Sequence, residues 1–119
     1  MASSILPFKP VFAIICTVDS GGTVSKQLTR GCTVVEAVCI PTADSAGATM
    51  QISRSTDGTS YSTLTNAMAC AATSTVARAS TLTVAQSVFA SGDYIRSTPA
   101  TSAEGIVNVF VTPSAISGD

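Results

Sequence analysis

Histidine and tryptophan are both absent from the chain, and the first absence removes the commonest general base and the commonest metal ligand together. Charge is also scarce: 11% of residues are charged and the net charge is -1. Without a basic patch to neutralise phosphates, nucleic acid is not expected as a partner, nor is a polybasic membrane contact. Aromatics make up 5%, with Tyr61 and Tyr94 as the tyrosines, a thin supply for the stacking platforms that sugar binding uses. The acids Asp19, Glu36, Asp44, Asp57, Asp93, Glu104 and Asp119 are scattered, mostly in turn-like stretches where Asp bonds nearby backbone. A catalytic carboxylate pair, Glu36 with Glu104 for example, would have to be assembled by the fold. No G-x-S-x-G elbow accompanies the many serines. An enzyme is not expected, and no cofactor or metal is implied.

Cysteine is present without a metal-binding pattern. Cys16, Cys32, Cys39 and Cys70 contain no C-x-x-C pair. Cys32 and Cys39 fall in one predicted strand, roughly 23 Å apart at ~3.3 Å per residue, too far to bridge. Cys16 lies in an apolar run, where it packs as a small hydrophobe. Buried, reduced thiols in a protein made in a reducing compartment are the expectation.

What the chain has in abundance is hydroxyl. Serine and threonine number 17 each, so polar faces are covered by neutral side chains. A weakly charged, Thr- and Val-rich chain stays soluble alone only if its strand edges and apolar patches are managed, and the composition suits a protein docked in an assembly. At 119 residues it is one domain, large enough to bury a core without staples.

The apolar run at residues 11–18 has Lys9 as its only preceding positive side chain and no small-x-small cleavage site. It is too short to span a bilayer, and it reads as a strand of the mature protein. Residues 1–10 form an arm, in which Pro7 and Pro10 prevent regular pairing. Strands are predicted at about 11–18, 24–28, 32–40, 48–55, 59–65, 75–84, 94–98 and 105–112. The second carries Val24, Lys26 and Leu28 on one face, as at a sheet edge. The third, CTVVEAVCI, is apolar on both faces, as inside a two-sheet sandwich. Residues 67–73 read as irregular. The stretch around Asp57-Gly58 reads as the corner of a β-hairpin: Ala48, Met50 and Ile52 alternate with polar residues before it, and Asp-Gly readily turns the chain. A sialidase-type Asp box would need a residue between the two, and a calcium loop would need further carboxylates. About eight strands at 8–12-residue spacing, with no sustained helical period, predict an all-β antiparallel sandwich, jelly-roll-like in its strand number. The boundaries are an N-terminal arm at 1–10, the sandwich at 11–112 and a tail at 113–119.

Val88-Phe89-Ala90-Ser91-Gly92-Asp93-Tyr94-Ile95-Arg96, followed after a loop by Gly105-Ile106-Val107-Asn108-Val109-Phe110-Val111, resembles the last two strands of small jelly-roll modules of tailed bacteriophages. There a small-Gly-Asp-aromatic corner precedes the penultimate strand, and Gly-x-Val-x-Val opens the final one. The resemblance extends over residues 30–112; the four cysteines and the very apolar first strand depart from it. It implies a structural virion protein, a capsid decoration (cement) protein that binds the major capsid protein and stabilises the shell. By the same resemblance the chain acts as a homo-oligomer, dimer or trimer, on the capsid exterior after assembly in the host cytoplasm. The alternative it offers is a carbohydrate- or receptor-binding module of a tail or head fibre. No catalytic or ligand residues carry over, because the pattern contains none. Docking residues are expected in the arm, namely Ile5, Leu6, Pro7, Phe8 and Pro10. The apolar ones gain nothing in water, and the prolines lower the entropy lost on ordering against a neighbouring subunit.

Overall fold

A computed structural model describes the backbone of residues 12–18 and the whole of residues 23–113. The protein is an all-β fold of two antiparallel sheets. Its strands are β1 (Phe12–Val18), β2 (Val24–Gln27), β3 (Cys32–Pro41), β4 (Thr49–Ser55), β5 (Ser62–Thr63), β6 (Met68–Ala69) and β7 (Ala77–Arg78). A short helix α1 (Val84–Ser87) is followed by β8 (Val88–Phe89), β9 (Tyr94–Ala100) and β10 (Gly105–Pro113). The first sheet runs β1-β10-β3, with β7 and β8 on the free side of β3. The second runs β2-β9-β4, with β5 and β6 on the free side of β4. As expected for an edge, β2 has one strand neighbour and Lys26 is exposed.

Two-residue alternation supplies the core from both sheets. Val107, Val109 and Val111 of β10 and Val34, Ala37 and Cys39 of β3 face Met50 and Ile52 of β4 and Ile95 of β9, together with Leu64, Met68, Cys70 and Phe89. The buried set of β3 changes parity midway. Phe110 pairs with Glu36 and Val111 with Val34, so Val35 is the extra residue of a bulge. Before it Cys32 and Val34 point inward, and after it Ala37 and Cys39 do. Much of this strand's two-faced apolar appearance is therefore a phase change along one strand.

Three predicted elements need correction, two of them because side chains took backbone groups away from the ladders. The strand expected at 75–84 is reduced to β7 and an isolated bridge from Thr65 to Leu82. Between them, Asn66 Oδ1 accepts from the Ser80 and Thr81 amides at 2.8 and 3.2 Å. The strand expected at 59–65 shrinks to β5 because Asp57 Oδ1 accepts from the Thr59 and Ser60 amides at 2.8 and 2.9 Å. Conversely, the segment expected to be irregular contains β6, where Met68 and Cys70 are buried and the Cys70 amide donates to the Ala48 carbonyl at 2.9 Å. Among the described residues the eight predicted strands become ten because β5 with β6, and β7 with β8, are interrupted ladders.

A buried ionic corner ties β4 to the β8–β9 turn. Asp93 Oδ2 accepts from the Ala90 amide at 2.8 Å and from Arg54 Nε and Nη2 at 3.1 and 2.8 Å. Arg54 Nη1 donates to Gln86 Oε1 of α1 at 3.2 Å, and the guanidinium lies 5.6 Å from the Phe89 ring centroid. This is the physical content of the Ala-Ser-Gly-Asp motif: the carboxylate closes the turn and pays for its own burial with three donors.

Two outcomes follow from this packing. A Cβ on Gly105 would meet the Ile40 carbonyl oxygen at 2.8 Å and the Cys39 and Cys70 sulfurs at 3.2 Å. Backbone cannot yield as a side chain does, so Gly105→Ala lowers unfolding stability by about 1–3 kcal/mol, read from the urea midpoint. Burial works to raise the Asp93 carboxyl, but the Ala90 amide and the Arg54 guanidinium outweigh it and hold the group below the usual carboxylate range. The unfolded chain therefore takes up this proton first. The stabilisation is complete above about pH 5 and is lost as pH falls through about 4 towards the native value. Asp93→Asn is expected to lower the urea midpoint at neutral pH and to flatten its fall below about pH 5.

Candidate docking surface

Alternation gives the outward faces of the two sheets opposite characters. The second sheet turns Ser25 and Gln27 of β2, Tyr94, Arg96 and Thr98 of β9, and Thr49, Gln51 and Ser53 of β4 away from the core. Tyr61, from the β4–β5 loop, lies over Arg96 with the guanidinium carbon 3.8 Å from its ring centroid, and its hydroxyl donates to Ser25 Oγ at 3.4 Å. Gly58 packs on the ring of Tyr94, and a Cβ there would meet Tyr94 Cε1 and Cζ at 3.0 Å. Both tyrosines thus hold the loop down on a polar face.

The first sheet is different. Its outward positions are Ile106, Asn108 and Phe110 on β10, and Thr33, Val35, Glu36 and Ile40 on β3, with Val38 on the same side but buried. Val88 stands beside Thr33 and Arg78 beside Val38. Arg78 Nη1 donates to Glu36 Oε2 in an exposed ion pair that leaves the face neutral. The exposed large hydrophobic residues of the described chain are Val35 at 48%, Val76 at 51%, Val88 at 55% and Val84 at 82%; Val35 and Val88 stand on this face, Val76 precedes β7, and Val84 belongs to α1. Val35 is outward because its neighbour Val34 fills the core, and Val88 because its neighbour Phe89 does. A neutral face with several half-exposed aliphatics is the kind of surface that desolvates on a protein partner.

Ile5, Leu6, Pro7, Phe8 and Pro10, the docking residues expected from sequence, lie outside the described residues. The described chain enters at Phe12, paired with Val111 on the first sheet. The exposed valines were not singled out from sequence. A usable signal was the excess of Val in CTVVEAVCI over what one buried face needs, but the bulge at Val35, which changes the outward set of the strand, leaves no mark of its own.

The other candidates resolve into structural roles. Gly105 pairs with Pro41 and Phe110 with Glu36, so Glu36 and Glu104 stand roughly 16 Å or more apart along the ladder at ~3.3 Å per residue. Glu36 is instead engaged by Arg78. Asp57 is a corner. Ser55 Oγ donates to Asp57 Oδ1 at 2.9 Å and accepts from the Asp57 and Gly58 amides. With the Ser60 and Thr59 amides donating to it, and then Ser55, the Asp57 carboxyl sits below its usual range. That is an Asx-type turn whose acceptor oxygen is already used. Among the described residues no group of three or more His, Cys, Asp or Glu is placed to hold a metal ion. Cys32, Cys39 and Cys70 are free thiols and buried, and burial, then the nearby Asp93 charge, pushes the Cys32 thiol up.

Comparison with protein-family models, with curated proteins and with solved structures returns no match.

Gly58 has φ +80° and no room above Tyr94, so Gly58→Ala is expected to cost on the order of 1 kcal/mol of stability. Asp57→Ala should loosen the loop, visible as faster amide exchange at Thr59 and Ser60, without changing partner binding.

Proposed function

We propose that this chain is a capsid decoration protein of a tailed bacteriophage, docking through the apolar outward face of its first sheet and the arm that leads into that sheet. The observation that carries the reading is the asymmetry between the two faces. One is apolar and electrically neutral around Val35 and Val88, and the other is polar around Arg96. A decoration protein needs one side for the shell and one for solvent. The strand order supports a jelly-roll reading of the sandwich, because consecutive strands β1, β2, β3 and β4 alternate between the sheets and β9 and β10 repeat the alternation. Near-absence of charge supports a partner recognised by desolvation and backbone pairing. The first sheet offers edges for that pairing at β1 and on either side of the short β7 and β8.

On this reading Ile5, Leu6 and Phe8, held extended by Pro7 and Pro10, lie on a neighbouring subunit, each contributing roughly 1.5–3 kcal/mol when buried. The valines form the second part of the same footprint. The partner is the major capsid protein, and a dimer or trimer of this chain forms on the shell. The protein is then a virion component on the capsid exterior.

The test combines two variants of the full chain, each mixed with shells made of the capsid protein encoded with it. Val35→Asp with Val88→Asp removes the apolar footprint, and deletion of residues 2–9 removes the arm. Both are expected to melt within a few degrees of the parent, since they alter surface and not core, and both should fail to occupy particles in sedimentation. Normal occupancy by the double aspartate variant overturns the assignment of this face. Loss of many degrees on deleting the arm would instead assign the arm to the chain's own core.

A further inference from the structure

Cys39 and Cys70 come from different sheets and meet inside the sandwich. Cys39 lies on β3 and Cys70 directly follows β6, which pairs with β4; both are fully buried. A Cβ added to Gly105 would lie 3.2 Å from each sulfur, so both sulfurs rest against the one residue whose missing side chain makes room for them. The proton order can be read from the partners. The Cys70 thiol donates to the Glu104 carbonyl at 3.7 Å, which leaves its sulfur to accept from Cys39. The Cys39 thiol is pushed up, by burial first and then by its hydrogen bond with Cys70. No other pairing fits as well. Cys32 is seven residues along the same strand, roughly 23 Å away at ~3.3 Å per residue. Cys16 stands opposite Val107, which stands opposite Cys39. Its backbone is therefore two strand spacings, roughly 9.5 Å, from that of Cys39, beyond the reach of a disulfide.

We propose that Cys39 and Cys70 are an oxidation site at which a disulfide staples the two sheets together. With a small-molecule disulfide as oxidant, the thiolate of one cysteine attacks it, forming a mixed disulfide and releasing one thiol. The second thiolate attacks the mixed disulfide at the protein sulfur, forming the Cys39–Cys70 bond and releasing the second thiol. The two cysteines lose two electrons and two protons overall, and both appear in the two small thiols. Burial keeps the closed dithiol unreactive, because neither sulfur is exposed and the Cys39 thiolate is disfavoured. Reaction proceeds from openings of the segment between Asn66 and Arg78, which is held to the sheets only by the two-residue strands β6 and β7 among its regular pairings. The site is thus silent in a reducing cytosol and closes slowly in an oxidising medium. That sequence of environments rests on the docking role proposed above; the chemistry does not.

The test uses the purified full chain with oxidised glutathione at about pH 8.5, where free thiols ionise, in mild urea so that the segment opens. Cleavage after Arg and after Glu separates Cys32 from Cys39 at Glu36, so the digest distinguishes every pairing. The expected result is loss of two hydrogens from the intact chain and one cross-linked peptide pair carrying Cys39 and Cys70. A melting temperature several degrees higher, reversed by reductant, should accompany it. The rate should rise with urea well below the unfolding midpoint. Cross-links through Cys16 or Cys32, a covalent dimer, or persistence of free thiols at Cys39 and Cys70 would overturn the proposal. Because no particle is involved, none of these outcomes depends on whether the chain decorates a capsid.

Discussion

The antiparallel ladder between β3 and β10, with its single extra residue at Val35, is the constraint from which the rest of the molecule follows. Side chains alternate strictly along a strand, so one inserted residue reverses which set faces the core. Before the bulge Cys32 and Val34 fill the interior; after it Ala37 and Cys39 do. Val35 faces outward as the alternation from Val34 requires; the reversal after it leaves Glu36 and Ile40 outward and carries Cys39 inward to meet Cys70 beneath Gly105. The outward set of β3 after the bulge and the buried thiol pair are two consequences of one register shift.

A sandwich with so few charges must satisfy its irregular backbone by other means. Here short polar side chains do it locally: Asn66 holds the Ser80 and Thr81 amides, Asp57 and Ser55 close the β4–β5 loop, and Thr65 Oγ1 accepts from the Ile52 amide at 3.0 Å. The charge that is buried, Asp93, sits where three donors converge and where Arg54 also covers Phe89. An isolated buried carboxylate would be costly, whereas one with several donors is a fixed corner. The abundance of serine and threonine is therefore not only a solvent coat. Part of it replaces ladder hydrogen bonds.

The long strands were legible in the sequence because their apolar residues recur at every second position: β10 through Val107, Val109 and Val111, and β4 through Met50 and Ile52. The Asp-Gly corner and the edge position of Lys26 were legible for equally local reasons. What escaped was everything decided by a distant partner. The Thr- and Val-rich run at 75–84 has strong strand propensity, yet Asn66, fourteen residues away, claims two of its amides. Met68 looks helix-forming but pairs with Met50. Composition, apolar and sparsely charged, raised the expectation of a docked chain but pointed to no position for a surface. Val35 follows the alternation set by Val34, but no local pattern announces the bulge that also leaves Glu36 outward and brings Ala37 and Cys39 inward. The arm was singled out from sequence by its prolines and apolar residues, and it lies outside the described residues.

The central claim is one of orientation: a neutral, valine-studded face meets the partner and the hydroxyl-rich face meets water. A cryo-electron microscopy reconstruction of a shell carrying this chain measures that orientation directly. The account predicts β3, β8 and β10 against the shell, Val35 and Val88 in contact with it, and Arg96 with Tyr61 pointing outward. A reconstruction in which the face bearing Arg96 and Tyr61 lies on the shell, with Val35 and Val88 in solvent, would contradict it.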